Sequence, residues 1–305
     1  MEGVMMKNQD RYAVAVRKPD HDIEVKVWDY QGVVKNKKIR NLPIVRGVVS
    51  FIESLYLGMS TLTYSASFFE EDEEEQRKKK EREKNLSEEE RAKLAKKEAK
   101  EEKAMMSGTV VFSIVLALAI FFALPYFLST FFERIIPYAW VVALLEGLIR
   151  LAIFIGYIAL IALMPDIKRV FMYHGAEHKT INCIEHGMEL TVENVRASSK
   201  HHKRCGTSFL IIVMLISIVF FMFIRVDSPV LRLVFRLLLI PVIAGVSYEF
   251  IRLAGRYENW FTNLFSKPGI WMQRLTTREP EDEMIEVAIA SVEAVFDWKK
   301  WQEEE

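Results

Sequence analysis

Apolar positions along this chain follow two patterns, and each predicts a different element. Tyr12 to Arg17 and Ile23 to Tyr30 alternate apolar and polar side chains around a Pro19-Asp20-His21-Asp22 break, which predicts a β-hairpin. Further along, apolar residues gather into nearly unbroken runs at Thr109 to Phe132, Tyr138 to Met164, Ser208 to Ile224 and Val230 to Val246. A hydrocarbon core about 30 Å thick needs ~20 apolar residues in helical form, which each run approaches, the third falling a little short. The pattern predicts a mainly α, polytopic membrane helical bundle of about four transmembrane helices paired as two hairpins. A small N-terminal β-hairpin and a cytoplasmic helical loop complete the expected fold.

The remaining segments fill in the organisation. Leu42 to Phe69 is apolar but holds Arg46 and Glu53, seven residues apart on one helical face. A charge at mid-bilayer costs about 2.5 to 3.5 kcal/mol on insertion scales, so an interfacial or partly inserted helix is expected here rather than a fifth span. Glu70 to Lys103 is almost wholly Glu, Lys, Arg and Ala, the composition of a solvated single helix or a disordered tether. In the central connection, Pro165 can begin a helix, Asp166 to Cys183 holds no breaker, and Gly187 can end it. Near the C-terminus a helix is expected over Glu279 to Trp301, started by Thr276 or Thr277 with Pro280 in the first turn. Its apolar stripe is Ile285, Ala288, Ile289, Val292, Val295 and Phe296. The expected divisions are a hairpin region (1–41), an interfacial helix (42–69), a charged tether (70–104), a first transmembrane hairpin (105–164), a loop bearing the chemistry (165–207), a second transmembrane hairpin (208–250) and a cytoplasmic tail (251–305).

Composition and charge sharpen this picture. The 305 residues are 51% hydrophobic and 27% charged, values that a soluble protein also reaches, so the segregation of apolar runs from charged blocks carries the membrane assignment. Lys and Arg number 41 and so do Asp and Glu, which removes the case for a nucleic-acid binder built on a basic face. The first and third short connections offer only Arg134 beside Glu133 and Arg225 beside Asp227. The central one carries Lys168, Arg169, Lys179, Arg196, Lys200, Lys203 and Arg204. The positive-inside rule then puts both termini and the central loop in the cytoplasm. Met1 to Asp10 lacks an apolar core after a basic start, so no cleavable signal peptide is expected. Two cysteines, Cys183 and Cys205, near several histidines read as thiols or metal ligands in a reducing compartment rather than as a disulfide.

Five of the six histidines fall between His174 and His202, and the core of that group is His174-Gly175-Ala176-Glu177-His178. Helical residues three and four apart share a face, so this H-x-x-E-H string aims two imidazoles and a carboxylate at one spot. Inverted zincins use such a string, the histidines holding zinc and the glutamate serving as base. Downstream, His202 and Cys205 have the spacing of two further ligands. Glu249, emerging from the fourth span, is a candidate extra carboxylate. The bland alternatives are histidines hydrogen-bonded within a core and a small buried cysteine at a span's start. Cys183 lies on the opposite helical face, and His186 sits at the fraying helix end. Lys179 and Arg204 flank the group and suit an anionic substrate or lipid headgroups. Within the bilayer Glu146 and Arg150 are four apart, as are Arg232 and Arg236. Such groups carry function or form structural pairs, with Glu53 a further partner.

Several strings carry a family resemblance: Glu2 to Met6, Tyr173 to Lys179, Leu190 to Val195, Arg204 to Phe209, Ser247 to Glu249 and Thr276 to Pro280. With these the chain resembles the YqhQ-like family of bacterial membrane proteins over nearly its whole length, the charged tether excepted. The resemblance implies a bacterial inner-membrane setting and a metal-dependent enzyme, and it supplies no substrate. It carries His174, Glu177, His178, His202, Arg204, Cys205, Gly206 and Thr207 over as matching positions. Lys203 stands where the family has proline, which loosens the turn after His202. A Gly-Gly-Gln-Ala-Val segment before Glu2 is absent, which leaves a shortened or differently started first strand as the expectation.

The leading expectation is a membrane-embedded, zinc-dependent hydrolase at the cytoplasmic membrane surface. His174, His178 and His202 are its expected ligands, Cys205 or Glu249 its fourth, and Glu177 its general base. Peptide, ester and phosphoester bonds all remain open, on a membrane-protein or lipid substrate among the surrounding membrane lipids. The rivals are an insertion or assembly factor with a closed structural zinc site, and a transporter working through Glu146, Arg150 and Arg232.

Overall fold

A computed structural model describes residues 2–69, 88–224, 226, 228–257 and 259–304. Part of the charged tether, residues 70–87, and the Arg225 and Asp227 of the third connection lie outside the described residues. The sheet is antiparallel in the order β1 (Gly3–Asn8), β2 (Arg11–Arg17), β3 (Ile23–Asp29). The hairpin is therefore as expected, and a full six-residue first strand adds to its other edge. The helices are α1 (Val45–Ala66), α2 (Glu88–Leu118), α3 (Ala139–Ile161), α4 (Pro165–Glu185) and α5 (Val192–Ala197). They continue with α6 (Gly206–Met222), α7 (Pro229–Ala254), α8 (Trp260–Thr276), α9 (Asp282–Glu293) and α10 (Trp298–Glu304).

Among the described residues three helical stretches are long and apolar enough to cross a membrane: Ala104–Glu133, Ala139–Ile161 and Val230–Ala254. The first contains a π-helical turn at Ala119–Ala123, immediately before Pro125. A proline ring crowds the carbonyl four residues earlier and offers no N–H, so the ladder widens there instead of breaking. The fourth apolar stretch, α6, has 17 residues and spans roughly 26 Å at the helical rise of about 1.5 Å per residue. From Glu88 onward the charged segment is helical and continuous with the first span. Helix α1 realises the expected 42–69 helix and lies on α7, where Gly47 permits close approach: a Cβ there would stand 2.6 Å from that of Tyr248.

Strand β2 is buried on both faces. Ala13 and Ala15 leave room on one side for α9, whose Ser291 Oγ donates to the carbonyls of Val4 (3.1 Å) and Ala13 (3.3 Å). Tyr12, Val14 and Val16 pack on Leu57 of α1 from the other side. One hydrophobic core joins the sheet to α4, α9 and Trp298 of α10, so the N-terminal sheet, the central connection and the C-terminal tail sit together at one end of the bundle. Ion pairs reinforce this layer: Arg169 and Tyr173 grip the Glu2 carboxylate (2.6 and 2.8 Å), and Arg196 donates to Asp282 (2.8 Å). The stripe expected on the last helix does pack here. Its boundaries differ, because Thr276 ends α8, Thr277 caps that end, and Glu281 is the N-cap of α9.

The intramembrane charges form a buried cluster. Arg150 donates to Glu146 at 2.8 Å and Arg236 at 2.6 Å, and all three side chains are at most 5% exposed. Phe221 lies against both guanidinium groups, at 5.1 and 5.2 Å from the ring centroid. Arg232 belongs instead to Glu133 at the helix end (2.7 Å), and Glu53 is engaged by Arg40 (3.1 Å) and Lys7 (3.7 Å) rather than by this cluster. One carboxylate thus offsets two cations away from water, so Glu146→Gln is expected to cost about 3–5 kcal/mol. Chemical unfolding in detergent micelles measures this. The half-exposed Arg232–Glu133 pair provides the control, with Arg232→Gln costing ~1 kcal/mol or less.

Candidate functional site

Helix α4 carries the site. Pro165 occupies its first turn and Asp166 complements the dipole there, while Gly187, at a φ of 68°, turns the chain away after its end. His174 and His178 lie one turn apart with ring centroids 4.3 Å from each other. Each Nδ1 meets a backbone carbonyl, that of Thr276 for His174 (2.9 Å) and that of Lys200 for His178 (2.7 Å). A carbonyl only accepts, so in the neutral rings Nδ1 carries the proton and Nε2 presents a lone pair. The Cys205 Sγ is 3.2 Å from Nε2 of His174. One ligand atom from each of His174, His178 and Cys205 lies within 4.8 Å of the others.

The carbonyls are delivered by segments clamped onto α4. Arg278 donates its backbone N–H to the Phe171 carbonyl (2.9 Å), and a Cβ on Gly175 would stand 1.9 Å from the Arg278 carbonyl oxygen. Only a residue without a side chain lets this loop come so close. On the other flank Asn182 donates to the carbonyls of Ser199 (2.6 Å) and His201 (3.0 Å). Gln273 of α8, fully buried, brackets the His202 backbone by accepting from its N–H (2.9 Å) and donating to its carbonyl (2.7 Å). Cys205 follows as the N-cap of α6, its sulfur accepting from the Thr207 N–H at 3.4 Å. Sequence reasoning missed the roles of Gln273, Asn182 and Thr276: the first two leave no periodic or motif signal, and Thr276, although part of a resemblance string, acts through its backbone carbonyl.

Electrostatics favour a charged thiol–imidazole pair when the residues stand alone. Burial opposes the Cys205 thiolate, but hydrogen bonds and charge from His174 and His178 outweigh it and hold its pKa down to about 4. Burial likewise opposes the His174 cation, and the Cys205 sulfur, Glu177 and the Thr276 carbonyl bring it up to about 9. Burial raises the Glu177 carboxyl despite the neighbouring imidazoles. Glu177 and His174 line a cavity of about 260 Å³ between α4, α1 and the sheet. Cys205 lines a separate apolar cavity of about 450 Å³ on its other side.

Several predicted site residues stand elsewhere. The His202 ring is near, 5.8 Å from that of His178, yet its Nε2 is turned to Glu185 at 3.3 Å because Gln273 fixes its backbone. Glu249 is engaged by Arg46 through both carboxylate oxygens, so its charge is already matched. Lys179 is buried, donating to the carbonyls of Arg196 (2.9 Å) and Ser198 (2.8 Å) and pairing with Glu279 (3.1 Å); it ties loops together rather than facing a substrate. Arg204 pairs with Glu185 and lines the apolar cavity. Cys183 points to the Glu189 carbonyl at 3.5 Å, away from the cluster, and His186 bonds the Asn182 carbonyl at 2.6 Å.

Fold and site together define a helical membrane protein with an end domain that gathers two histidines and a cysteine. Residues 42–298 match the family described as "Protein of unknown function (DUF1385)", and the chain belongs to it. It is 32% identical over 296 residues to the "Uncharacterized protein YqhQ" of Bacillus subtilis (strain 168), covering 95% of this chain and 88% of that protein. No solved structure matches.

Two outcomes follow from this geometry. In chelator-treated protein, alkylation of Cys205 is expected to stay flat with falling pH until about pH 4, because the thiolate persists until then. His174→Ala should move that midpoint toward the ordinary thiol value of about 8.5, while Cys183, raised by burial, stays silent. Peptide mapping by mass spectrometry separates the two thiols. Gly175→Ala should cost about 1–3 kcal/mol by forcing the Arg278 loop outward, read as a lowered unfolding midpoint.

Proposed function

We propose that this protein is a bacterial inner-membrane hydrolase, with both termini and its end domain in the cytoplasm, whose zinc ion is held by His174, His178 and Cys205. The observation that carries this reading is the pair of Nδ1–carbonyl hydrogen bonds, which leaves Nε2 as the ring atom that each histidine can offer a metal beside the Cys205 sulfur. Histidines that ligate metals are oriented by such bonds to their other nitrogen. Three protein donors also suit a catalytic zinc, which keeps one position open, better than a closed structural one.

When bound, zinc supplies Lewis acidity toward a carbonyl or phosphoryl oxygen. Glu177 accepts the proton of the attacking water, and the upward push of burial on its carboxyl makes it the stronger base. The cavity of about 260 Å³ beside Glu177 and His174 gives that water its place. One observation favours a second reading. The Sγ–Nε2 contact of 3.2 Å is that of a thiolate–imidazolium pair, in which Cys205 attacks directly and His174 protonates the leaving group.

Metal analysis of the purified protein separates the two. The zinc reading expects about one equivalent of zinc, lost in His174→Ala and Cys205→Ser and retained in His202→Ala and Glu177→Gln. Glu177→Gln should hydrolyse a p-nitrophenyl ester probe on the order of 10²- to 10⁴-fold more slowly. Full activity of metal-free protein would establish the thiol mechanism instead. Zinc retained with Glu177→Gln as active as the parent would make the ion structural.

A further inference from the structure

The face of the site opposite Glu177 opens into a slot with two chemically distinct ends. The apolar cavity of about 450 Å³ runs between α1 and the α6–α7 pair, walled by Phe51, Leu55, Phe209, Leu210 and Ile251, and it ends at Cys205. A second cavity, about 630 Å³, is walled by Arg40, Arg46 and Arg252 with Asn41. Ser50 and Tyr248 line both, so the two adjoin across these side chains. At the polar end the cations outnumber the acids. Arg40 is matched by Glu53 and Arg46 by Glu249, whereas Arg252, exposed in the last turn of α7, makes no close ion pair with the described residues and shares only the Glu249 charge that Arg46 already engages.

The depth of this slot is marked by its surroundings. The outward face of α1 exposes Ile52, Leu55, Tyr56 and Met59, each at least half exposed. Helix α8, which begins six residues after α7 ends, exposes Trp260, Phe261, Phe265 and Trp271. Aromatic side chains of this kind collect at the level of lipid headgroups, where a free guanidinium meets phosphate. An apolar groove that opens beside three arginines set against two carboxylates complements a molecule with an anionic head and a hydrocarbon chain.

We propose that the slot binds one anionic phospholipid, its phosphate at Arg252 and Tyr248 and one acyl chain along the groove. The binding does not rest on the reading given under Proposed function.

The experiment titrates detergent-solubilised protein with phosphatidylglycerol, phosphatidylcholine or inorganic phosphate, and reads bound lipid by native mass spectrometry alongside zinc content. Phosphatidylglycerol should bind in preference to phosphatidylcholine, and millimolar inorganic phosphate should not displace it. Arg252→Glu should weaken phosphatidylglycerol binding on the order of 10- to 30-fold, since it reverses one charge at the headgroup level. Leu55→Trp, an exposed position that folding tolerates, should obstruct the groove and weaken both lipids, with zinc content unchanged in either variant. Equal binding of the two lipids, indifference to both substitutions, or displacement by inorganic phosphate would overturn the slot. Selective lipid binding by a protein that holds no zinc would retire the metal and keep the lipid site, so the two readings fail separately.

Discussion

Two backbone carbonyls, those of Lys200 and Thr276, decide which way the imidazoles of α4 face. A histidine pair one turn apart on a helix has rotational freedom about each side chain, and nothing in that spacing fixes which nitrogen points to the neighbour. Here each Nδ1 is consumed by an acceptor that cannot reverse its role. The rest of the end domain reads as the apparatus that keeps those carbonyls in place. Gly175 admits one loop, Asn182 and Lys179 hold the other, and Gln273 locks the turn that leads to Cys205.

The same logic of matched polar groups governs the membrane part in a different medium. Glu146, Arg150 and Arg236 gather within the bundle because each would be costly alone in hydrocarbon, and aromatic rings cover the guanidinium faces. Glu249, although on the same helix as Arg236, is spent on Arg46 and thereby fastens α1 to α7. That fastening shapes the wall between the bundle and the groove that reaches Cys205. Charge pairing within the bundle and hydrogen bonding at its end thus meet along α7.

Much of the architecture was legible because it rests on periodicity. The alternation in Tyr12 to Arg17, the apolar runs, and Pro165 and Gly187 as helix boundaries all appear in the structure. Helix α8 was not legible: Pro268 interrupts its run, and its start depends on a local capping box of Asn259 and Thr262. Type and spacing singled out His174, His178 and Cys205, and the structure brings their side chains together. It turns His202 and Glu249 instead to Glu185 and Arg46, a competition decided by three-dimensional proximity alone.

The hydrogen bond from His174 to Thr276 joins residues 102 apart in the sequence. At a synthesis rate of about 5–20 residues per second, the second carbonyl arrives on the order of 5–20 s after the histidine leaves the ribosome. The last span is made within that interval, so the hydrogen bond of His174 stays unformed while the chain is being threaded into the bilayer. Assembly of the centre thereby becomes a report that insertion has been completed.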